Sequence, residues 1–152
     1  MVSSVLALSV AVGSAAGGTE LVLTVTTRDG EVLVRALLPD DATWRIEWTH
    51  SVAQVVVTDE FAWRSGVMYV TDQHSPYLDI AGLGTFAGRG RLVDAPSGGY
   101  HLADIDFPLH GNVHSLIIGS ERAPTVLVVG DERFELSQTH PATHARIEVT
   151  RR

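Results

Sequence analysis

The chain has 152 residues, is 45% apolar and holds no cysteine. This is the size of one domain, and it excludes a disulfide framework and every thiolate metal site. A formal charge of −7, with 18 acidic side chains against 11 basic ones, leaves no basic face for a nucleic acid or an anionic membrane. The basic residues are all arginine and, apart from Arg151-Arg152, are scattered along the chain.

Residues 1–18 hold an apolar run from Val5 to Val12, followed by the small residues Gly13-Ser14-Ala15-Ala16. The pattern resembles the core and cleavage region of a secretory signal, although no Lys or Arg precedes it. The run is too short for a bilayer, which takes about 20 apolar residues. It predicts export to the periplasm or cell surface, with the leader cleaved or kept as an anchor. Residues 19–152 then form a single domain.

The body of the chain predicts strands. Leu21 to Thr27 is β-branched and alternating, and Arg28-Asp29-Gly30 turns it back into Glu31 to Leu38. Pro39-Asp40-Asp41-Ala42 is a second turn. Thr43 to Ser51 follows, with Trp44, Ile46 and Trp48 on one face and Thr43, Arg45, Glu47 and Thr49 on the other. Val55 to Trp63 and Val67 to Thr71 are strands joined by Arg64-Ser65-Gly66. Residues 76–99, rich in Gly and Pro, predict a long irregular segment, the kind of loop that often carries function. Strands resume at His101 to Phe107, Val113 to Ile118, Thr125 to Val129 and Arg133 to Leu136, with Gly130-Asp131 as a tight turn. Ala145 to Thr150 predicts a short edge strand. No segment carries a sustained 3.6-residue apolar period. About nine short strands predict an all-β fold, an antiparallel β-sandwich that is immunoglobulin-like or a partly closed barrel.

His50 falls in register with Trp44, Ile46 and Trp48, so its side chain is expected on the apolar face at the strand's end. The next strand puts Asp59 in one row with Val57 and Phe61, and Glu60 in the other. Pairing across Val52-Ala53-Gln54 would bring His50 to Asp59 or to Glu60, depending on a one-residue register choice. Such a pair at a pocket can move a proton or orient a ligand; the plainer alternative is a buried histidine bonded to an acid for structure alone. Ser51 points away from His50 if the strand continues, so the two do not make a nucleophile and base within one strand. A G-x-S-x-G elbow is absent.

Seven histidines occur, and His110/His114 and His140/His144 have i,i+4 spacing. Gly111-Asn112 and Pro141 interrupt these pairs, so a helical zinc site is not expected, and no metal or other cofactor is predicted. Ala81-Gly82-Leu83-Gly84 lacks the Lys-Ser/Thr of a phosphate loop.

Trp48-Thr49-His50-Ser51-Val52, Glu60-Phe61 about ten residues on, Ala81-Gly82-Leu83-Gly84, Val128-Val129-Gly130 and Phe134-Glu135-Leu136 together resemble the domain-of-unknown-function family 1850 (DUF1850). The resemblance covers roughly residues 20–137, and His-Ser-Val…Glu is its most specific part. The family's loop tends toward Gly-Ala-Gly-Leu-Pro, from which Ala-Gly-Leu-Gly departs. The resemblance implies a small exported protein, encoded near the membrane subunits and TAXI-type binding proteins of TRAP solute transporters, and no assigned reaction. It implies an extracytoplasmic, non-enzymatic accessory that contacts a TRAP membrane or solute-binding subunit, close to the membrane surface, or handles solute. The positions to test are His50, Ser51, Asp59, Glu60, Gly82 and Gly84. A stand-alone small-molecule or metal-binding module with a His50–acid pocket is the first alternative. An enzyme using His50 as general base is the second.

Overall fold

Alternation of apolar and polar side chains decides the architecture. In the computed structural model, which describes residues 20–77, 89–95 and 98–152, the chain folds as an all-β sandwich of two antiparallel sheets. The strands are β1 (Leu21–Thr27), β2 (Val32–Leu38), β3 (Thr43–Thr49), β4 (Val56–Arg64), β5 (Val67–Ser75) and β6 (Arg91–Asp94). Then come β7 (Tyr100–Ala103), the two-residue β8 (Phe107–Pro108), β9 (Val113–Ile117), β10 (Thr125–Val129), β11 (Glu132–Glu135) and β12 (His144–Arg151). A single helical turn, α1 (Leu136–Thr139), follows β11.

One sheet has the order β2-β1-β12-β9; the other runs β11-β10-β3-β4-β5-β7-β6, with β8 beside β5. The β1–β2 hairpin closes where the sequence places its turn, with Gly30 at φ 90° and the Thr27 amide bonded to the Glu31 carbonyl. A residue with a side chain is strained at that φ, which is why glycine stands there.

Two strand expectations are corrected. The C-terminal strand is not an edge. Ala145, Ile147 and Val149 are buried, and β12 pairs with β1 from Leu21↔Arg151 to Thr27↔Ala145 and with β9 from His144↔Ile117 to Glu148↔Val113. Both backbone edges of β12 are thus hydrogen-bonded, so it is interior. Within the stretch 76–99, expected to be irregular, Arg91–Asp94 form β6 and pair with β7.

The core lies between the sheets, where Leu23, Val25 and Ile147 from one face meet Trp44, Phe61, Met68 and Leu127 from the other. Trp44 and Phe61 stack at 6.0 Å and 4° across the β3–β4 pair. β5 carries a bulge: Glu60 pairs with Asp72, but the next residue, Phe61, pairs with Val70, leaving Thr71 as the extra residue. The inward row changes parity there. Met68 and Val70 are buried before the bulge, and Thr71, Gln73 and Ser75 after it. A bulge does this because two residues on one strand face one on its neighbour.

Candidate functional site

A cleft of about 390 Å³ opens between the sheets, lined from β3 and β4 on one side and from β9 and the following turn on the other. Alternation and register build its floor. β3 aligns Ile46 with Asp59 and Trp48 with Val57, which keeps Asp59 on the inward row between Val57 and Phe61. β5 aligns Gln73 with Asp59, and the bulge at Thr71 turns Gln73 inward as well.

Asp59 is therefore a carboxylate on the inner face of a sheet, gripped by donors from both neighbouring strands. Trp48 Nε1 donates to Oδ2 at 2.8 Å, and Gln73 Nε2 donates to Oδ1 at 2.5 Å. Burial pushes the Asp59 pKa above its ordinary value, while the bonds from Gln73 and Trp48 and the nearby His114 oppose the shift.

His114 comes from the opposite sheet. It shares the inward row of β9 with Leu116 and meets the edge of the Phe61 ring at 5.0 Å and 62°. Burial holds its pKa below the usual histidine value, against the pull of the Asp59 charge. Its neutral form is therefore favoured, across the cleft from the half-buried Asp59. Ile46 and Thr125 are buried in the lining, Asp59 and His114 are half-buried, and Ser51, Ile117 and Ser120 are exposed.

The turn around the cleft is tied by a compact network. Ser137 Oγ accepts from the Thr125 amide at 2.9 Å and donates to the Gly119 carbonyl at 2.7 Å. The Gly119 amide in turn donates to Thr125 Oγ1 at 2.8 Å.

The expected partnership of His50 with Asp59 or Glu60 is not formed. β3 ends at Thr49, and His50 opens a turn in which its amide bonds to Val55 and its carbonyl accepts from Gln54, both at 2.8 Å. Its Nδ1 accepts from the amides of Ala53 at 3.2 Å and Val52 at 3.4 Å. In the neutral ring the proton is therefore on Nε2. His50 does stay on the Trp48 side, with ring centroids 6.4 Å apart, and both His50 and Ser51 line the cleft.

Glu60 points to the opposite face of its sheet, where it meets His74 Nε2 at 3.1 Å. His74 stacks on His101 at 4.1 Å, and His101 Nε2 bonds to Asp72 at 2.8 Å. Of the six positions singled out in the sequence, His50, Ser51 and Asp59 come together, Glu60 does not, and Gly82 and Gly84 lie outside the described residues. Among the described residues, none from 76–91 lines this cleft.

Trp48, Gln73 and His114 are the members that sequence reasoning missed. His114 stood out only through its spacing from His110, which is exposed on a 3-10 turn while His114 faces inward. The usable signal was different: His114 alternates with Leu116 and Ile118, as an inward row does. Among the described residues, no group of three or more His, Asp or Glu side chains is arranged to hold a metal ion.

No protein family, no curated protein and no solved structure matches the chain. Fold and site together define an antiparallel β-sandwich with a ligand-sized cleft between its sheets, lined by one half-buried carboxylate and one half-buried imidazole.

Proposed function

We propose that the chain is a non-enzymatic, extracytoplasmic binding domain that assists a TRAP-type solute transporter and holds solute in the Asp59 cleft. The observation that carries this reading is the cleft itself: a concave, largely apolar space with a few convergent polar groups is the usual form of a small-molecule site. The resemblance to the DUF1850 family supplies the transporter context, and the leader-like residues 1–18 support export. His50 and Ser51, the specific part of that resemblance, stand in the cleft lining. Binding is favoured over catalysis because His50, the expected general base, is paired with neither Asp59 nor Glu60. His50 Nδ1 accepts amides of its own turn, and Asp59 receives a neutral donor on each oxygen.

Co-purification tests the transporter role. Tagged full-length protein is expected to enrich the membrane or TAXI-type binding subunit over a control bait. Repeated absence of enrichment, together with ligand binding in the cleft, would leave a stand-alone binding module in place of the accessory.

A further inference from the structure

We propose that the cleft selects a small organic cation, with an ammonium group at Asp59 and an apolar or aromatic body against Trp48, Leu116 and Ile117. This rests on the reading of the cleft as a binding site and specifies the chemistry of its ligand.

Charge is the first argument. The ionisable groups lining the cleft are Asp59, His50 and His114. Among the described residues no arginine lines it, and the chain has no lysine. An anion entering here meets a carboxylate and no fixed positive charge, whereas a cation meets an acid without a cationic partner of its own.

The bonding state of Asp59 points the same way. Its two donors, the Trp48 indole and the Gln73 amide, are both neutral and occupy different oxygens. Each carboxylate oxygen has two lone pairs, so each can take one more donor. A partly desolvated carboxylate without an opposite charge carries a cost, and an ammonium beside it relieves that cost while adding a charge-assisted hydrogen bond. His114 does not serve as the counter-ion, because burial favours its neutral form. A neutral imidazole offers a lone pair to an N–H donor.

The walls agree with this choice. Trp48 is the aromatic side chain best suited to a neighbouring cation, and Ile46, Leu116, Ile117 and Ala123 supply apolar surface for the rest of the molecule. Binding of a cation favours the charged form of Asp59, so affinity should rise with pH across the range where this carboxyl ionises.

The test is isothermal titration of the full chain near pH 7.5 with three probes of one skeleton: 2-phenylethylammonium, 2-phenylethanol and phenylacetate. The ammonium is expected to bind roughly tenfold or more tightly than the other two, the size of one charge-assisted hydrogen bond. Asp59→Asn should abolish that preference. This variant suits the purpose because Gln73 Oε1 is buried without a partner. The Gln73 amide can turn over and accept from the new carboxamide, preserving the packing. A second readout needs no variant: binding of the ammonium to the unaltered protein should weaken progressively on acidification, as His114 across the cleft gains a proton and Asp59 loses its charge. Equal or tighter binding of the alcohol or the carboxylate would overturn cation selection while leaving the cleft a binding site. Binding of none of the three would overturn both readings.

Discussion

The indole Nε1 of Trp48 donates to Oδ2 of Asp59 at 2.8 Å, joining two side chains on the inward rows of adjacent strands. The bond orients the acid at the floor of the cleft and satisfies one of its oxygens. Trp48→Phe keeps an aromatic wall but removes the donor. We expect a loss of about 0.5–1.5 kcal/mol, the net worth of one hydrogen bond at this half-buried carboxyl. Urea denaturation with unchanged m-value would check it.

The two half-buried titratable groups of the cleft give opposite pH dependences. Burial raises the folded pKa of Asp59 above its ordinary value of 3.8, so the folded state keeps this proton to higher pH than the unfolded chain. Its contribution is most favourable below that ordinary value and is lost as pH rises through the raised one. Asp59→Asn removes this loss, so its melting temperature relative to the unaltered protein should increase between about pH 4 and pH 7. A flat difference across that range would contradict the burial argument.

His114 runs the other way. Its folded pKa lies below the ordinary 6.5, so the unfolded chain takes up the proton first as pH falls. The stability it contributes is complete above 6.5 and is lost as pH falls through the folded value. His114→Gln should therefore lose less stability than the unaltered protein between about pH 7 and pH 5. Thermal melts of both proteins in matched buffers measure this, and the other histidines cancel in the difference.

Ser137 ties α1 to the turn beside the cleft. Ser137→Ala leaves the Thr125 amide and the Gly119 carbonyl without their side-chain partner. The expected cost is about 1–3 kcal/mol, since Ser137 is buried. Gly119→Ala should damage the same turn by crowding, because an added Cβ would lie 1.9 Å from the Ala123 carbonyl oxygen. Overpacking of this kind costs about 1–3 kcal/mol and shifts the backbone. Both variants should lower the denaturation midpoint and weaken ligand binding in the cleft.

The legible parts of this molecule are those set by local alternation. The β3–β4 pair could be read because Trp44, Ile46 and Trp48 alternate in one strand and Val57, Asp59 and Phe61 in the next, and the observed register keeps both rows inward. The partner of His50 could not. β3 stops one residue short of it, and its Nδ1 is captured by amides two and three residues on, a choice made by turn geometry. Gln73 was hidden by the bulge at Thr71: extending the row of Met68 and Val70 predicts Asp72 and His74 inside, and the extra residue sends them to the outer face beside Glu60. The interior position of β12 depends on β1 and β9, more than a hundred and about thirty residues away, which no local pattern reports.

The central claim is that the cleft around Asp59 is where this protein binds its ligand, and the indole N–H of Trp48 reports it directly. The chain has three tryptophans, and the Nε1 atoms of Trp44 and Trp63 are buried without a hydrogen-bond partner, so the Trp48 signal stands apart in an ¹H–¹⁵N spectrum. Titration with 2-phenylethylammonium should shift that resonance progressively to saturation, leave the Trp63 signal in place, and produce no such shift in Asp59→Asn. A Trp48 signal unmoved at saturating probe, or moved equally in Asp59→Asn, would contradict the account.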